Sequence, residues 1–306
     1  MDLLAAAEPR PLGRSGLTCR PLAWNARPAS ADGARAALAA VAEAGFGLVA
    51  VASLPPPGSR EAPGAGLALM GAAFEAVRPE GLLLALRGGI RAGPVYDARA
   101  ETLLAEVEGA LAALGRESID LFILQRADLL AHPAEVARAF AALLASGKVR
   151  AVGVANHGPA QLRALARHLD TPLATIELPF SALETAPLAD GMLDLAMELG
   201  LSVVASAPLA EGQLGDRPDA AASVTARATI RALDTIAGQQ GVGRAAAAAA
   251  FVAAHPARPI PLFGSQVPAE LRAIAGMLSV RMGRSDWYRV LEATLGHRLP
   301  GLEADR

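Results

Sequence analysis

Short apolar runs alternate along the chain with longer segments in which apolar positions recur every three to four residues. The first pattern marks strands and the second marks helices with one buried face. Eight runs read as strands: Leu22–Asn25, Leu48–Ser53, Leu82–Arg87, Ile119–Gln125, Val149–Asn156, Thr175–Phe180, Ser202–Ala207 and Pro261–Ser265. Leu82–Leu86 and Val203–Ala205 are apolar without interruption, as strands are when both faces are covered. Helices are expected over Asp32–Glu43, Gly66–Val77, Glu101–Leu114, Ala134–Ala145, Pro159–Arg167, Ala189–Leu199, Ala222–Ala237, Arg244–Ala254 and Ala269–Leu278, several with Ser, Asp or Pro near their starts. Eight strand-then-helix units in 306 residues predict an α/β fold, the (β/α)8 TIM barrel. An open doubly wound sheet is the competing architecture, but no Gly-rich dinucleotide loop follows the first strand.

Outside the repeat, Leu12–Thr18 is expected to form a short hairpin or arm, within about residues 10–20. Gly212–Ser223, after the seventh strand, has the length and polarity of a lid or binding loop. Ser285–Leu295 reads as an amphipathic helix that packs Trp287, Val290 and Leu291 on the barrel. No low-complexity linker divides the chain, so residues 1–306 are read as one domain.

Composition narrows the function classes. A formal charge of −2 gives no basic face for nucleic acid. The hydrophobic fraction of 53% is largely alanine, and its densest run, Ala245–Ala254, falls short of the roughly 20 residues a membrane span takes. Residues 1–20 lack the charged start and apolar stretch of a signal peptide, so a soluble, cytoplasmic protein is expected. The single cysteine, Cys19, excludes a disulfide framework, and the five histidines show no metal-ligand spacing. Arginine supplies all but one of the 28 Lys and Arg residues, the exception being Lys148, a bias typical of a GC-rich genome.

Several blocks of residues, in order, resemble the aldo-keto reductase family. Pro11-Leu12-Gly13-Arg14-Ser15-Gly16-Leu17 resembles its "LG.SGL" arm, and Ala42-Glu43-Ala44-Gly45-Phe46 the "AGI" before strand two. Leu114–Leu121 resembles "LG.DYIDL", and Gly147–Asn156 resembles "GKVR.IGVSN". Ala207-Pro208-Leu209, Pro261–Ser265, Trp287-Tyr288 and Gly296–Pro300 are similar to the later blocks. The resemblance implies the same barrel and NAD(P)H-dependent carbonyl reduction. In that chemistry a Tyr gives the proton, a Lys lowers the Tyr pKa, an Asp holds the Lys, and a His orients the substrate.

By the same resemblance, none of these four stands here. Ala50 occupies the Asp position of "FDTA", Pro55 the tyrosine position, Arg87 the lysine position of "TKGG", and Gln125 the histidine position. Lys to Arg is a change that GC bias favours. Proline, however, has no proton to give, and the bias does not account for Ala50, Pro55 and Gln125. Lys148, in the turn before strand five, lies at the far end from the mouth and replaces nothing. Residues implied toward a cofactor are Asn156, Thr175, Ser206, Gly264, Ser265 and Arg272; Ser206 stands where the family stacks an aromatic ring, and Glu270 where it pairs an Arg with the 2′-phosphate. The implied cofactor occupancy is therefore none, or weak NADP(H).

The mouth of such a barrel would still present Asn25, Ser53, Arg87, Gln125, Asn156, His157, Glu177 and Ser206. Arg87 could clamp a small anionic ligand or bridge to Glu177. His157 could act as acid or base, or could be a rim histidine. Arg78, Arg91, Arg126 and Arg258 are expected to be solvated. Two functions are open at this stage: a pseudoenzyme kept as a binding or interaction protein with an unidentified partner, or an enzyme with a rebuilt site, with or without a nicotinamide.

Overall fold

The computed structural model describes residues 8–54, 62, 64–91, 95–216 and 223–299. Eight parallel strands close into a barrel in chain order: β1 (Ala23–Asn25), β2 (Leu48–Ala52), β3 (Leu83–Gly88), β4 (Ile119–Leu124), β5 (Val149–Ala155), β6 (Thr175–Pro179), β7 (Ser202–Ser206) and β8 (Ile260–Phe263). All eight expected strands are present. β8 pairs with β1, Leu262 opposite Ala23, and closes the ring without a free edge.

Because successive side chains point to opposite faces, each strand feeds two cores. Ala23, Leu48, Ala50, Ala85, Leu121, Ile123, Ala151, Ala155, Val204, Ile260 and Leu262 form the inner cluster. Their neighbours Trp24, Val49, Val51, Leu84, Leu86, Phe122, Val152 and Val203 belong to the outer cluster, beneath the helices. The inner set is rich in alanine, which leaves the lumen room for a few large polar side chains. Gly153 takes this furthest: a Cβ there would lie 2.1 Å from Thr175 Oγ1, so the glycine makes space for its β6 neighbour.

The amphipathic segments wrap the outside. Ala31–Glu43 is started by Ser30, whose side chain accepts from Gly33 N. Pro133–Ala145 is started by His132 in a reciprocal capping arrangement with Glu135. The single helix expected over Ala189–Leu199 is instead two, Ala186–Ala189 and Met192–Leu199, parted at Gly191, whose φ of 79° is a left-handed turn. Arg244–Ala253 is buried along its whole apolar length, and the last helix, Arg284–Leu295, stacks Trp287 on Phe251 with ring centroids 5.0 Å apart. No helix among the described residues is long and apolar enough to cross a membrane.

The expected arm is a small antiparallel hairpin, Arg10–Pro11 against Thr18–Cys19. Leu12, Leu17 and Cys19 join the inner cluster, and Ser202, at the start of β7, bonds both Pro11 O and Gly13 N. The hairpin therefore stoppers the N-terminal ends of the strands. The opposite ends form the open mouth.

Candidate functional site

The mouth is built from residues at or just past the strand ends. Asn25, Ala52, Ser53, Gln125, Asn156 and Ser206 are half-buried there. Asn156 takes a left-handed backbone, φ 55°, and its Nδ2 donates to the Gln125 carbonyl at 3.1 Å. This pins the turn after β5 to the end of β4.

Below the rim, among the described residues, the lumen is crossed by one ion pair. Arg87 on β3 donates from Nη1 to Glu177 Oε1 on β6 at 3.2 Å, and from Nη2 to Asn25 Oδ1 on β1. The two charged side chains are only 10% and 5% exposed. Of the two roles open to Arg87, the bridge to Glu177 is the one the structure displays. The positive charge is compensated inside the barrel. An incoming carboxylate would compete with Glu177, at a cost in desolvation, rather than meet a free cation.

Around the pair, small residues dominate. Ala50 is fully buried in β2, across from Ala85 on β3, so the strand next to Arg87 carries a methyl group and no charge at this position. Arg87 Nε, Glu177 Oε2 and the Thr175 hydroxyl are buried without a hydrogen-bond partner. Thr175 lies two residues below Glu177 on the same face of β6 and is fully buried, deeper than a rim contact. His157 is buried too, its Nδ1 2.9 Å from the Ala155 carbonyl oxygen, and burial holds its pKa below the usual histidine value. It is therefore not a solvated rim histidine. Pro55 lies outside the described residues.

On the far side of the mouth, Trp24 Nε1 donates to Ser265 O, and Gln266 Nε2 reaches Asn25 O, Gly264 O and Ser265 O. Ser265 Oγ donates to Glu270 at 2.7 Å, and Arg272 is paired with Glu43 at 2.9 Å. A Cβ on Gly264 would come within 2.7 Å of Arg27 Nη2, so this arginine lies directly over the turn. Arg27, Gln266 and Glu43 had no signal in the chain's periodicity. Each is marked by its contact with the Gly264–Ser265 turn or its helix.

Two further groups were not foreseen. Glu106, on the helix Ala100–Leu114, accepts from Gly89 N at 2.8 Å and from the Ser53 hydroxyl, and burial raises its pKa. Asp97 gathers Arg99 at 2.7 Å, Thr102 at 3.0 Å and Arg91 at 3.4 Å, and is held well below the ordinary carboxylate range, chiefly by Arg99. Arg91 is exposed, as expected, and also pairs with Asp97. Arg258, expected in solvent, has Nε and Nη2 buried. Lys148 pairs with Glu108 on the exterior. No group of three or more His, Cys, Asp or Glu that could hold a metal occurs among the described residues.

An eight-stranded parallel barrel with a polar mouth, stoppered by a hairpin at the other end, defines the class of the chain: a closed (β/α)8 barrel. The family model described as "Aldo/keto reductase family" matches residues 21–294, and the chain belongs to that family. It is 40% identical over 303 residues to a 6-dehydroglucose reductase of Novosphingobium aromaticivorans, covering 95% of this chain and 97% of the relative. A 6-dehydroglucose reductase of Agrobacterium fabrum is 33% identical over 201 residues, 66% of this chain and 65% of that protein. Among solved structures, the glycerol dehydrogenase AKR11B4 of Gluconobacter oxydans has the same fold, with a TM-score of 0.81 at 22% identity over 96% of this chain and 97% of that one.

Proposed function

We propose that this aldo-keto reductase barrel binds a neutral, polyhydroxylated ligand at its mouth and does not reduce it. The observation that carries the reading is the engagement of Arg87 with Glu177 and Asn25, beside a buried alanine at position 50. By family resemblance these are the lysine and aspartate positions. A guanidinium held by a carboxylate and an amide is poorly placed to lower the pKa of a phenol. The chain's two tyrosines lie elsewhere: Tyr96 sits in a two-residue strand beyond β3, and Tyr288 is on the last helix against Trp287. Neither occupies a barrel strand.

The lining favours the ligand class. With Arg87 compensated, the neutral polar groups at the rim among the described residues are the amides of Gln125 and Asn156, the Asn25 amide whose Oδ1 accepts from Arg87, and the hydroxyls of Ser53 and Ser206. Such neutral donors and acceptors suit sugar hydroxyls better than a carboxylate or phosphate. The name of the Novosphingobium relative points to the same chemistry, a glucose derivative.

The residues that would hold NADP(H) do not fit it well. Glu270 places a carboxylate on Ser265, Arg272 is occupied by Glu43, and Arg27 with Gln266 covers the Gly264–Ser265 turn. When bound, the cofactor supplies hydride in this family. Weak binding or none follows from these contacts. The reading also has the protein working in the cytoplasm, which cell fractionation tests.

Calorimetric titration with glucose, beside fluorescence titration with NADPH and NADH, tests the proposal. Saturable glucose binding with no NADPH oxidation on addition of 6-dehydroglucose is the expected result. A second reading, a reductase with a rebuilt site, is favoured by the 40% identity to a protein named as a reductase. Steady NADPH oxidation dependent on 6-dehydroglucose would establish that reading and overturn the first.

A further inference from the structure

The closed end of the barrel holds two arginines whose best binding edges are buried and make no hydrogen bond. Arg10, in the first strand of the hairpin, is 2% exposed, and its Nη1 donates to the carbonyls of Arg258, at 2.7 Å, and Pro259. Its Nε and Nη2 are buried with no hydrogen-bond partner. Arg258, in the loop that leads into β8, has the same two atoms, Nε and Nη2, buried and without a hydrogen bond, Nη2 lying 3.6 Å from Glu8, although the rest of its side chain is partly exposed. In a guanidinium these atoms share one edge, the side that grips two oxygens of an oxyanion at once. Both edges lie out of solvent, and the two residues are tied by the bond from the Arg10 side chain to the Arg258 backbone carbonyl.

The local charge is unbalanced. Burial, followed by the positive charge of Arg258, brings the Arg10 pKa down to about 10. Cys19, the hairpin partner of Arg10, supplies no negative charge near neutral pH because burial pushes its thiol up to about 12. Among the described residues, the carboxylate within ion-pair reach is Glu8, 3.6 Å from Arg258 Nη2 and mostly exposed. One loosely held carboxylate faces two cations. The backbone is also set for the encounter: Arg258 takes a left-handed φ of 49°, a conformation that side chains other than glycine, Asn and Asp seldom adopt.

We propose that Arg10 and Arg258 form a binding site for a small free oxyanion of the phosphate or sulfate type, clamped between the hairpin and the loop before β8. Its donors are enclosed, so the site takes the free ion and not the phosphoryl group of a larger metabolite. The ion would tie the stopper to the barrel at the end remote from the mouth. The site is independent of any reaction at the mouth.

The test is a thermal unfolding series on the full chain in phosphate-free buffer, with sodium phosphate or sulfate added against sodium chloride at matched ionic strength. A saturable rise of about 4 °C is expected at a phosphate concentration a hundredfold above Kd. Arg258→Met, which keeps the backbone carbonyl that Arg10 uses, should fold and lose the rise. Should that variant not fold, calorimetric titration of the unaltered chain with phosphate carries the test, with one ion per chain expected. No phosphate response beyond that of chloride, an undiminished response in Arg258→Met, or an equal response to glucose 6-phosphate would overturn the proposal.

Discussion

Replacing Glu177 by Gln probes the ion pair that spans the lumen. Glu177 is 5% exposed and Arg87 10%, so the substitution leaves a buried guanidinium with a neutral partner and the weaker hold of Asn25. Removing one member of a buried pair typically costs about 3–5 kcal/mol. Unfolding entropy near 2.1 cal/mol/K per residue gives roughly 0.64 kcal/mol/K for a chain of this length, so the midpoint should fall by about 5–8 °C. The contrast is the double replacement Arg87→Met with Glu177→Leu, which removes both charges at similar volume. It should recover most of the loss, because the desolvation penalty disappears together with the attraction. Urea denaturation followed by circular dichroism, with refolding checked, measures all three. A Glu177→Gln cost below about 1 kcal/mol would mean that solvent reaches Arg87 freely. A double variant as unstable as either single one would show that packing, and not the uncompensated charge, sets the penalty.

Other expectations follow from the same geometry. Gly153→Ala sets a Cβ 2.1 Å from Thr175 Oγ1 and 2.9 Å from the Thr175 carbonyl oxygen, and should cost at least about 1–3 kcal/mol by the same urea assay. Asp97, its pKa depressed by Arg99, stabilises the fold above the unfolded carboxylate pKa of about 3.9 and loses that contribution as pH falls below it. Stability curves below pH 4 should therefore be shallower for Asp97→Asn. Glu106 has the opposite sign: its raised pKa means that stability declines as pH climbs past the unfolded glutamate value, and Glu106→Gln should remove that decline. Restoring the four family residues through Ala50→Asp, Pro55→Tyr, Arg87→Lys and Gln125→His should still yield no good reductase, since Glu270, Arg272 and Arg27 remain as they are; rapid NADPH oxidation by that variant would contradict the reading of the cofactor turn.

The barrel was legible because its signal is local and repeated. Each strand run is short, continuous and followed by a helical period, so every observed strand begins and ends within two residues of its expected position. The helix over Ala189–Leu199 went astray because Gly191, an ordinary break in sequence, permits a left-handed turn whose need only the tertiary packing sets. The ion pair between Arg87 and Glu177 was foreseeable as one of two roles, since strand alternation puts both in the lumen. Arg258, expected in solvent, is only partly so, and its contacts, with Arg10 248 positions away and with Glu8, are ones that no periodicity records. Glu106 and Asp97 were missed for a related reason. Acidic residues on or before a helix read as solvent-facing, and only the turn at Gly88–Gly89 brings Glu106 onto the ends of β2 and β3.

The bridge across the lumen also bears on how the chain assembles. Arg87 and Glu177 are 90 positions apart, one on β3 and the other on β6, so neither strand-to-strand pairing nor any single hairpin can bring them together. They meet only when the two halves of the sequence enclose a common interior. Until then each charge keeps its water. Closure thus becomes a late step, completed when both ions surrender hydration together, and substitutions at the pair should speed unfolding far more than they slow folding. The barrel's last act of assembly is written into the pair of charges that spans its lumen.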